Sequence, residues 1–315
     1  MSDGSSRFAG LNVAKIISRP LSANPLTAEP LTALRVGADS EVYVPKGDPD
    51  FIASDYIYWP LDDAEGLVPT KFSNVEGAPD FTFSSESGLW SSRGWAMASG
   101  SAGASTGSSV ALKDMLNLAT LSDGMLIFAC WVMSQDWAGE VSSDRSWLNY
   151  GAVFSNQPGL NLRKLQSSLT GWTPSAPASK AQAQLSGLNG GSIASASDLI
   201  GRLPGEGPMF LMVVLRNRGG FIEESLIIDG YQTDGTNLTT YPVWGTTEPA
   251  LDFGFNIMQR NSATGVAQGF LTAGDTMRDM IIVRCETDQY MHVNKLASDA
   301  YKQGGGIPES WSAYL

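Results

Sequence analysis

Residues 209–235 read Met-Phe-Leu-Met-Val-Val-Leu-Arg-Asn-Arg-Gly-Gly-Phe-Ile-Glu-Glu-Ser-Leu-Ile-Ile-Asp-Gly-Tyr-Gln-Thr-Asp-Gly. The apolar run from Phe210 to Leu215 is rich in β-branched, aromatic and long side chains, which favour strands. Arg216 to Gly220 supply turn chemistry, and Leu226 to Ile228 resume the apolar pattern before an Asp229-Gly230 corner. This stretch therefore predicts two consecutive antiparallel strands.

The whole chain has the composition of a turn-rich β protein. Of its 315 residues, 34 are glycine and only 17% are charged. Large β-sandwiches often exceed about 200 residues as a single domain. We therefore predict one all-β antiparallel sandwich at residues 51–303, preceded by an extended arm at 1–50 and followed by a tail at 304–315.

The formal net charge of -12 disfavours two classes of partner. Nucleic acids and anionic membrane surfaces attract clustered Lys and Arg, which this chain lacks. The amino terminus has no basic region followed by an apolar one, and no apolar stretch approaches the roughly 20 residues that span a bilayer. We expect synthesis in the cytoplasm, without a signal peptide or membrane insertion.

Further segments fit a sandwich. Residues 125–133 are apolar on both faces, which favours a central strand, and residues 251–257 alternate cleanly. Residues 167–207 lose this periodicity and predict short, weak strands or a functional excursion. Residues 110–118 predict one short helix or an edge segment. A final helix, capped by Thr287 or Asp288, is predicted to run through Tyr290 and Tyr301 to Gly304. The predicted common core contains Leu211, Val213, Leu215, Leu226, Ile228, Phe253 and Phe255.

The arm at residues 1–50 contains five prolines and a short repeat that begins at Pro20, Pro25 and Pro30. Proline removes backbone donors and favours extended conformations. The arm lacks the continuous apolar pattern needed to fold alone, yet its apolar side chains are too numerous for a solvated tail. We predict that it docks on a partner through Leu11, Ile16, Ile17, Leu21, Leu26 and Leu31.

The sequence contains little that fits catalysis. Its single histidine, His292, lies in the predicted final helix, which does not suit a Ser-His-Asp triad. Glu223-Glu224, expected in the hairpin turn, and Asp62-Asp63 are sequence neighbours, and neighbours on a strand point to opposite faces. Neither pair therefore forms the two convergent acids of a glycoside hydrolase. We read Glu286-Thr287-Asp288 as a helix cap.

No cofactor is predicted, although calcium remains an alternative at one acidic turn. Asp62, Asp63 and Glu65 are oxygen donors beside a glycine, and Asp229 or Asp234 would join them if the loops meet. Solvation of a turn explains these residues equally simply. We therefore predict no metal site.

The two cysteines, Cys130 and Cys285, lie in apolar strand-like runs without neighbouring metal ligands. Alternation places Cys285 on the face of Ile281 and Val283, which predicts an inward thiol. Buried free thiols are the preferred interpretation, and a disulfide between the two is the alternative.

The nine tryptophans divide into two groups. Trp59, Trp95 and Trp131 fit core anchors. The second group flanks polar, loop-like sequence, where a flat ring either stacks on a sugar or packs against protein. The candidate carbohydrate-binding residues are Trp137, Trp147 and Trp172.

The order of the pieces resembles a laminin-G-like, concanavalin A-like jelly roll over about residues 55–285. The similarity is carried by Tyr58-Trp-Pro-Leu-Asp-Asp63 with Gly66, by Leu126 to Val132, by Met212 to Leu215 with Leu226 to Gly230, and by Gly269-Phe270 with Met277 to Val283. The calcium ligands and glucanase acids of that family do not transfer to this chain.

Such jelly rolls occur in lectins, glucanases, extracellular modules and tailed-bacteriophage structural proteins. With the proline-rich arm, the resemblance implies a non-enzymatic virion protein, a tail- or capsid-attached appendage of the fibre or decoration type. Other virion proteins and further copies of the chain are its expected partners, and host-surface glycan its expected ligand. The alternative is a glycan hydrolase on the same fold.

Overall fold

A computed structural model defines the fold. It describes residues 50–61, 69–83, 88–91, 94–97, 103–117, 120–133, 145–151, 159–165, 180–186, 192–198, 208–219, 221–232, 237–239, 254–261, 267–268, 271 and 274–303. Within these ranges, none of the helices is long and apolar enough to cross a membrane.

The described residues are mostly strands. The strands are β1 Asp55–Trp59, β2 Phe72–Ser73, β3 Thr82–Phe83, β4 Gly88–Ser91, β5 Gly94–Met97, β6 Ala104–Ser105, β7 Met125–Met133, β8 Arg145–Gly151, β9 Gly159–Leu165, β10 Lys180–Ser186, β11 Ser192–Asp198, β12 Met209–Arg218, β13 Phe221–Ile228, β14 Tyr231–Gln232, β15 Asn237–Thr239, β16 Phe255–Ile257, β17 Arg260–Asn261, β18 Ala267–Gln268 and β19 Thr276–Cys285. The two helices are α1 Val110–Met115 and α2 Tyr290–Gln303.

The opening stretch forms the predicted hairpin. Strands β12 and β13 pair antiparallel, from Leu211 opposite Ile228 to Arg218 opposite Phe221. Gly219 lies at the turn with φ 62°, which glycine adopts without steric cost. The expectation that Glu223-Glu224 occupy the turn is wrong, because the strand continues through both residues.

Two antiparallel sheets carry the architecture. The first sheet has the order β14-β13-β12-β7-β19-β1-β2, with β15, β5 and β4 attached, and the second has the order β11-β10-β9-β8-β16-β6-β3. Each sheet combines early and late strands, because the chain crosses repeatedly between them. The predicted all-β jelly-roll sandwich with a short C-terminal helix is confirmed. Strands β10 and β11 are the weak strands expected within residues 167–207.

The main core lies between the two sheets. It contains five of the seven predicted core residues, Leu211, Val213, Leu215, Leu226 and Phe255, and Ile228 packs against it. Phe253 lies outside the described residues. Trp59 and Trp95 are also fully buried in this core, as predicted.

Helix α2 covers the outer face of the first sheet. Val293, Leu296 and Ala297 of α2 are buried against a second cluster, which includes Trp131 and Cys285. The sandwich therefore has a third, helical layer on one side. A strand alternates its side chains, so β19 serves the inter-sheet core with Ile282 and this outer cluster with Ile281 and Val283.

The two cysteines are free and buried. Cys130 belongs to the inter-sheet core and Cys285 to the cluster under α2, on the opposite face of the first sheet. This separation by a sheet excludes the disulfide alternative. Burial, followed by the charge of Glu286, raises the pKa of the Cys285 thiol to about 12. Burial also raises the pKa of Cys130, with a smaller contribution from Asp279.

Asp288 fixes the start of α2, as the capping prediction expected. Its Oδ1 accepts a hydrogen bond from Tyr290 N at 2.9 Å, and its Oδ2 pairs with Arg216. The Arg216 guanidinium also lies 4.1 Å from the centre of the Tyr290 ring. Burial raises the pKa of Asp288, but the bonds from Arg216 and Tyr290 and the charges of Arg216 and Arg218 outweigh it and leave the pKa below its usual value. The contacts of Asp288 with Arg216 and Tyr290 therefore stabilise the fold at neutral pH. This stabilisation is lost as the pH falls and the Asp288 carboxylate becomes protonated.

Candidate ligand-binding face of the second sheet

Three asparagines occupy facing positions on adjacent strands of the second sheet. Asn256 of β16 pairs with Asn149 of β8, and Asn149 pairs with Asn161 of β9. Their strand neighbours, such as Leu148 and Leu160, belong to the inter-sheet core. Because side chains alternate along a strand, the asparagines lie on the sheet face that points away from this core. We call Asn149, Asn161 and Asn256 the amide row.

Two members of the amide row, Asn149 and Asn256, are hydrogen-bonded. Asn149 Nδ2 donates to Leu160 O at 3.1 Å, and Asn256 Nδ2 donates to Gly254 O at 3.5 Å. Gln259 Nε2 donates to Asn256 Oδ1 at 3.3 Å. These contacts fix the orientation of the Asn149 and Asn256 amides.

The member at the β9 end of the row, Asn161, is different. Asn161 is 0% exposed, and neither its Nδ2 nor its Oδ1 has a hydrogen-bond partner. The hydroxyl of Ser146, on the neighbouring strand, is also buried without a partner. A buried polar atom without a partner costs about 1 to 3 kcal/mol, and native proteins rarely leave one without a ligand or ordered water. The row therefore has unused donors and acceptors at its β9 end.

A guanidinium group lies beside the row. Arg163 is two residues from Asn161 on β9 and is therefore on the same face, opposite Ser146 in register. On β10, Gln184 and Gln182 occupy the positions in register with Asn161 and Arg163. The face thus combines amides with a cation.

Carboxylates are scarce in this sheet. The described strands β3, β6, β8, β9, β10, β11 and β16 contain one acidic residue, Asp198, at the end of β11. A hydrolase that uses paired acids needs two carboxylates about 5 to 10 Å apart. The described part of this face carries amide, hydroxyl and guanidinium groups, but it does not contain that pair of acids.

The structure removes one of the three tryptophan candidates. Trp147 lies in β8 and is 0% exposed, within the inter-sheet core. The cause is an irregularity in the β8–β9 register between Ser146 and Leu148, which places both Trp147 and Leu148 in the core. The Trp147 ring therefore faces the inter-sheet core and does not belong to the outer face of the second sheet. Trp137 and Trp172 lie outside the described residues.

Most of the other predicted site residues lie outside the described residues, and Asp229 has a structural role. The acids at positions 62, 63, 65 and 234 lie outside the described residues, as does the arm through residue 49. Asp229 has a structural role: its Oδ1 accepts from Phe210 N at 2.9 Å, and its own N donates to Phe210 O at 3.0 Å. Within the described ranges, no three His, Cys, Asp or Glu residues are grouped to hold a metal ion.

The sequence does carry a signal for the amide row. One asparagine stands between two core residues in each strand, as Leu148-Asn-Tyr150, Leu160-Asn-Leu162 and Phe255-Asn-Ile257. An apolar-Asn-apolar triplet repeated in three strands indicates a common polar position. Tryptophans and paired acids, the residue types usual in sugar sites, do not indicate this pattern.

No protein-family model and no curated protein matches the chain. Among solved structures, it is similar to a Trypanosoma rangeli sialidase in complex with 2,3-difluorosialic acid, with a TM-score of 0.45 and 12% identity over 79% of this chain and 32% of that one. The chain is also similar to the botulinum neurotoxin serotype D binding domain, with a TM-score of 0.46 and 13% identity over 78% of this chain and 50% of that one. A third similar structure is the CBM40 of a Ruminococcus gnavus sialidase, bound to α2,6-sialyllactose. Its TM-score is 0.35, with 10% identity over 61% of this chain and 92% of that one.

The chain therefore spans about a third of the sialidase and half of the toxin chain. With TM-scores below 0.5, these similarities carry no argument about what the chain does. The fold assignment rests on the strand pairing described above, and the functional argument rests on the amide row.

Proposed function

We propose that the chain is a non-enzymatic glycan-binding protein whose amide row holds the sugar. The observation that carries this proposal is the Asn161 amide, which is fully buried and has no partner for either polar atom. A buried amide without a partner is unfavourable. A ligand that forms hydrogen bonds with Asn161 removes this penalty, and the free energy recovered contributes to binding.

The chemistry of the row suits a polyol. Each asparagine offers two N–H donors and a carbonyl acceptor, and sugar hydroxyls also donate and accept. Several adjacent sugar hydroxyls can therefore bond to Asn161, Ser146 and Arg163 together. A carbohydrate is favoured over nucleic acid, because the chain carries a net charge of -12.

The scarcity of acidic residues in the described strands of the second sheet favours binding without hydrolysis. Asp198 is the only carboxylate in the described strands of the second sheet. The alternative, a glycan hydrolase, predicts release of reducing ends from a bound oligosaccharide. We expect incubation of any bound glycan with the protein to leave the glycan intact.

Asn161→Leu provides a sharp test, because leucine is similar in shape but cannot form hydrogen bonds. We expect the free protein to become more stable by about 1 to 3 kcal/mol, since a buried unpartnered amide is replaced by an apolar group. The same variant should lose at least about tenfold in glycan affinity, which corresponds to 1.4 kcal/mol. A glycan array followed by calorimetric titration measures binding, and urea denaturation measures stability.

The matched control is Asn294→Leu, since Asn294 is exposed on α2 in the opposite layer. It should change neither glycan affinity nor stability appreciably. If Asn161→Leu binds glycan as tightly as the unaltered protein, the amide row is not the sugar site. A wild-type array without any bound glycan would reject the whole proposal.

The second part of the proposal is a place in the virion, as a tail- or capsid-attached appendage. Its support is the sequence of residues 1–50, whose prolines and spaced leucines suit an extended docking arm. In the described structure, Phe51 is buried in the cluster under α2, on the side opposite the amide row.

A protein that begins at Asp50 tests this arm. We expect it to remain folded, because Phe51 and the cores are retained, but to lose incorporation into particles. Ordering an extended segment costs roughly 1 to 2 kcal/mol per residue, so the arm orders only against a partner surface. Particle occupancy is measured by electrophoresis of purified virions, and circular dichroism checks the fold. Undiminished occupancy of the shortened protein would remove the docking role.

A further inference from the structure

The second sheet has the opposite charge balance from the chain as a whole. The full sequence contains 20 Lys and Arg against 32 Asp and Glu. The described strands of the second sheet contain one acid, Asp198, and four cations, which are Arg145, Arg163, Lys164 and Lys180. A local excess of positive charge in an acidic protein attracts anions to that surface.

The four cations are not equivalent, because the strand register gives them different neighbours. Lys180 of β10 lies directly opposite Asp198 of β11. Lys164 follows Arg163 on β9, and a strand alternates its side chains, so Lys164 lies on the inter-sheet side. Arg145 of β8 is opposite Lys164 in register and shares that side. Arg163 is therefore the cation that β9 places on the face of the amide row.

Arg163 is close to the polar atoms that have no partner. It is two residues from Asn161 on β9, a separation of roughly 6.5 Å along the strand. The position directly opposite Arg163 on β8 is Ser146, whose buried hydroxyl has no hydrogen-bond partner. Residues that face each other in this way have Cβ atoms about 4.5 to 5.5 Å apart. These three residues therefore form one group, small enough to contact a single sugar ring.

The guanidinium of Arg163 suits a carboxylate. It carries five N–H donors in a planar fork, which matches the two oxygens of a carboxylate. Arg163 also interacts within the protein, and five donors leave room for further bonds. Because the residue is only 8% exposed, water screens its attraction to an anion less than it would at an open surface. This position therefore distinguishes charged from neutral ligands.

We propose that the ligand of the amide row is an acidic sugar, whose carboxylate pairs with Arg163 while its hydroxyls bond to Asn161 and Ser146. This inference rests on the proposed function, because it takes the amide row as the sugar site and adds the class of sugar. An acidic peptide also presents carboxylates, but it lacks the adjacent hydroxyls that complement an amide and a serine hydroxyl.

The first test compares two probes that differ at the carboxylate. One is the strongest carboxylate-bearing glycan from an array that includes uronic and sialic acids, and the other is the same glycan with its carboxylates reduced to primary alcohols. We expect the full chain to bind the acidic probe at least about tenfold more tightly at low ionic strength. This difference should shrink as salt is added, because salt screens charge. Calorimetric titration measures both affinities.

The second test removes the charge of Arg163. Arg163→Gln keeps hydrogen-bonding groups and should weaken the acidic probe by at least about tenfold while leaving the reduced probe unchanged. Arg163→Lys keeps the charge without the fork and should fall between the two. Retained binding of the reduced probe also shows that each variant is folded. The matched control, Arg218→Gln, makes the same change in net charge at a 55% exposed position of the first sheet and should alter neither affinity.

The outcomes separate this inference from the proposed function. If the array shows only neutral glycans, if the acidic and reduced probes bind equally, or if both Arg163 variants weaken both probes alike, the acidic-sugar inference is wrong and the amide row remains the sugar site. If Asn161→Leu weakens both probes while Arg163→Gln weakens only the acidic one, both are supported. A protein that binds no array glycan overturns both.

Discussion

Arg284→Ala is expected to destabilise the protein by about 3 to 5 kcal/mol, because it leaves several buried acceptors without a donor. Arg284 is 7% exposed. Its Nη1 donates to the carbonyls of Asp114, Met115 and Asn117 at 3.3, 3.0 and 3.2 Å, and its Nη2 donates to Thr120 Oγ1 at 2.8 Å. A single side chain of β19 therefore closes the end of α1 and the loop after it.

The positive charge adds to this role, since the carbonyls at the end of a helix carry partial negative charge. Arg284→Lys keeps the charge but cannot reach all four acceptors at once, because an ammonium is a compact group without the planar fork of arginine. We expect lysine to recover part of the lost stability. Urea denaturation gives the free energy of unfolding, and hydrogen exchange of the α1 amides reports the local loosening.

Arg218→Ala is the matched control. Arg218 is 55% exposed and lies 3.6 Å from Glu223 and 3.8 Å from Asp288, so its loss should cost less than about 1 kcal/mol. Comparable losses for Arg218→Ala and Arg284→Ala would show that surface charge, rather than closure of the α1 end, explains the effect.

The fold was predictable because its main strands carry strong local signals. The run at β12 and β13 has apolar periodicity, a glycine turn and an Asp-Gly corner, and the structure forms the predicted hairpin. The β7 prediction also held, since an apolar pattern on both faces matches a strand with a core on each side. Alternation correctly placed Cys285 on the same strand face as Ile281 and Val283. It could not show whether that face packs in the inter-sheet core or in the cluster under α2.

The candidate site was less predictable, because strand pairing rather than the local sequence determines which side chains lie together. Trp147 has the sequence context of an exposed loop residue, and only the irregular pairing of β8 with β9 places it in the core. The amide row depends on register between three strands, of which β16 lies far from β8 and β9 in the chain. Residue chemistry alone therefore pointed to aromatic platforms, whereas strand pairing brings the asparagines together.

Phe255→Ala is expected to cost about 3 to 5 kcal/mol, through lost burial and the cavity that remains. Phe255 is 0% exposed in β16 of the second sheet. Its ring stacks on Phe128 of the first sheet, with 6.1 Å between centroids and 9° between planes, and meets Phe81 at 6.0 Å. The side chain thus joins the two sheets at the centre of the sandwich.

Phe255→Leu should cost clearly less, because leucine fills much of the same volume, while Phe72→Ala should have little effect because Phe72 is half exposed. Denaturation midpoints of the three variants, measured with a check that the slope is unchanged, separate cavity formation from the general loss of an aromatic ring. A Phe255→Ala midpoint equal to that of the unaltered protein would mean that β16 does not pack against β7. In that case the two sheets would not share one core at this position.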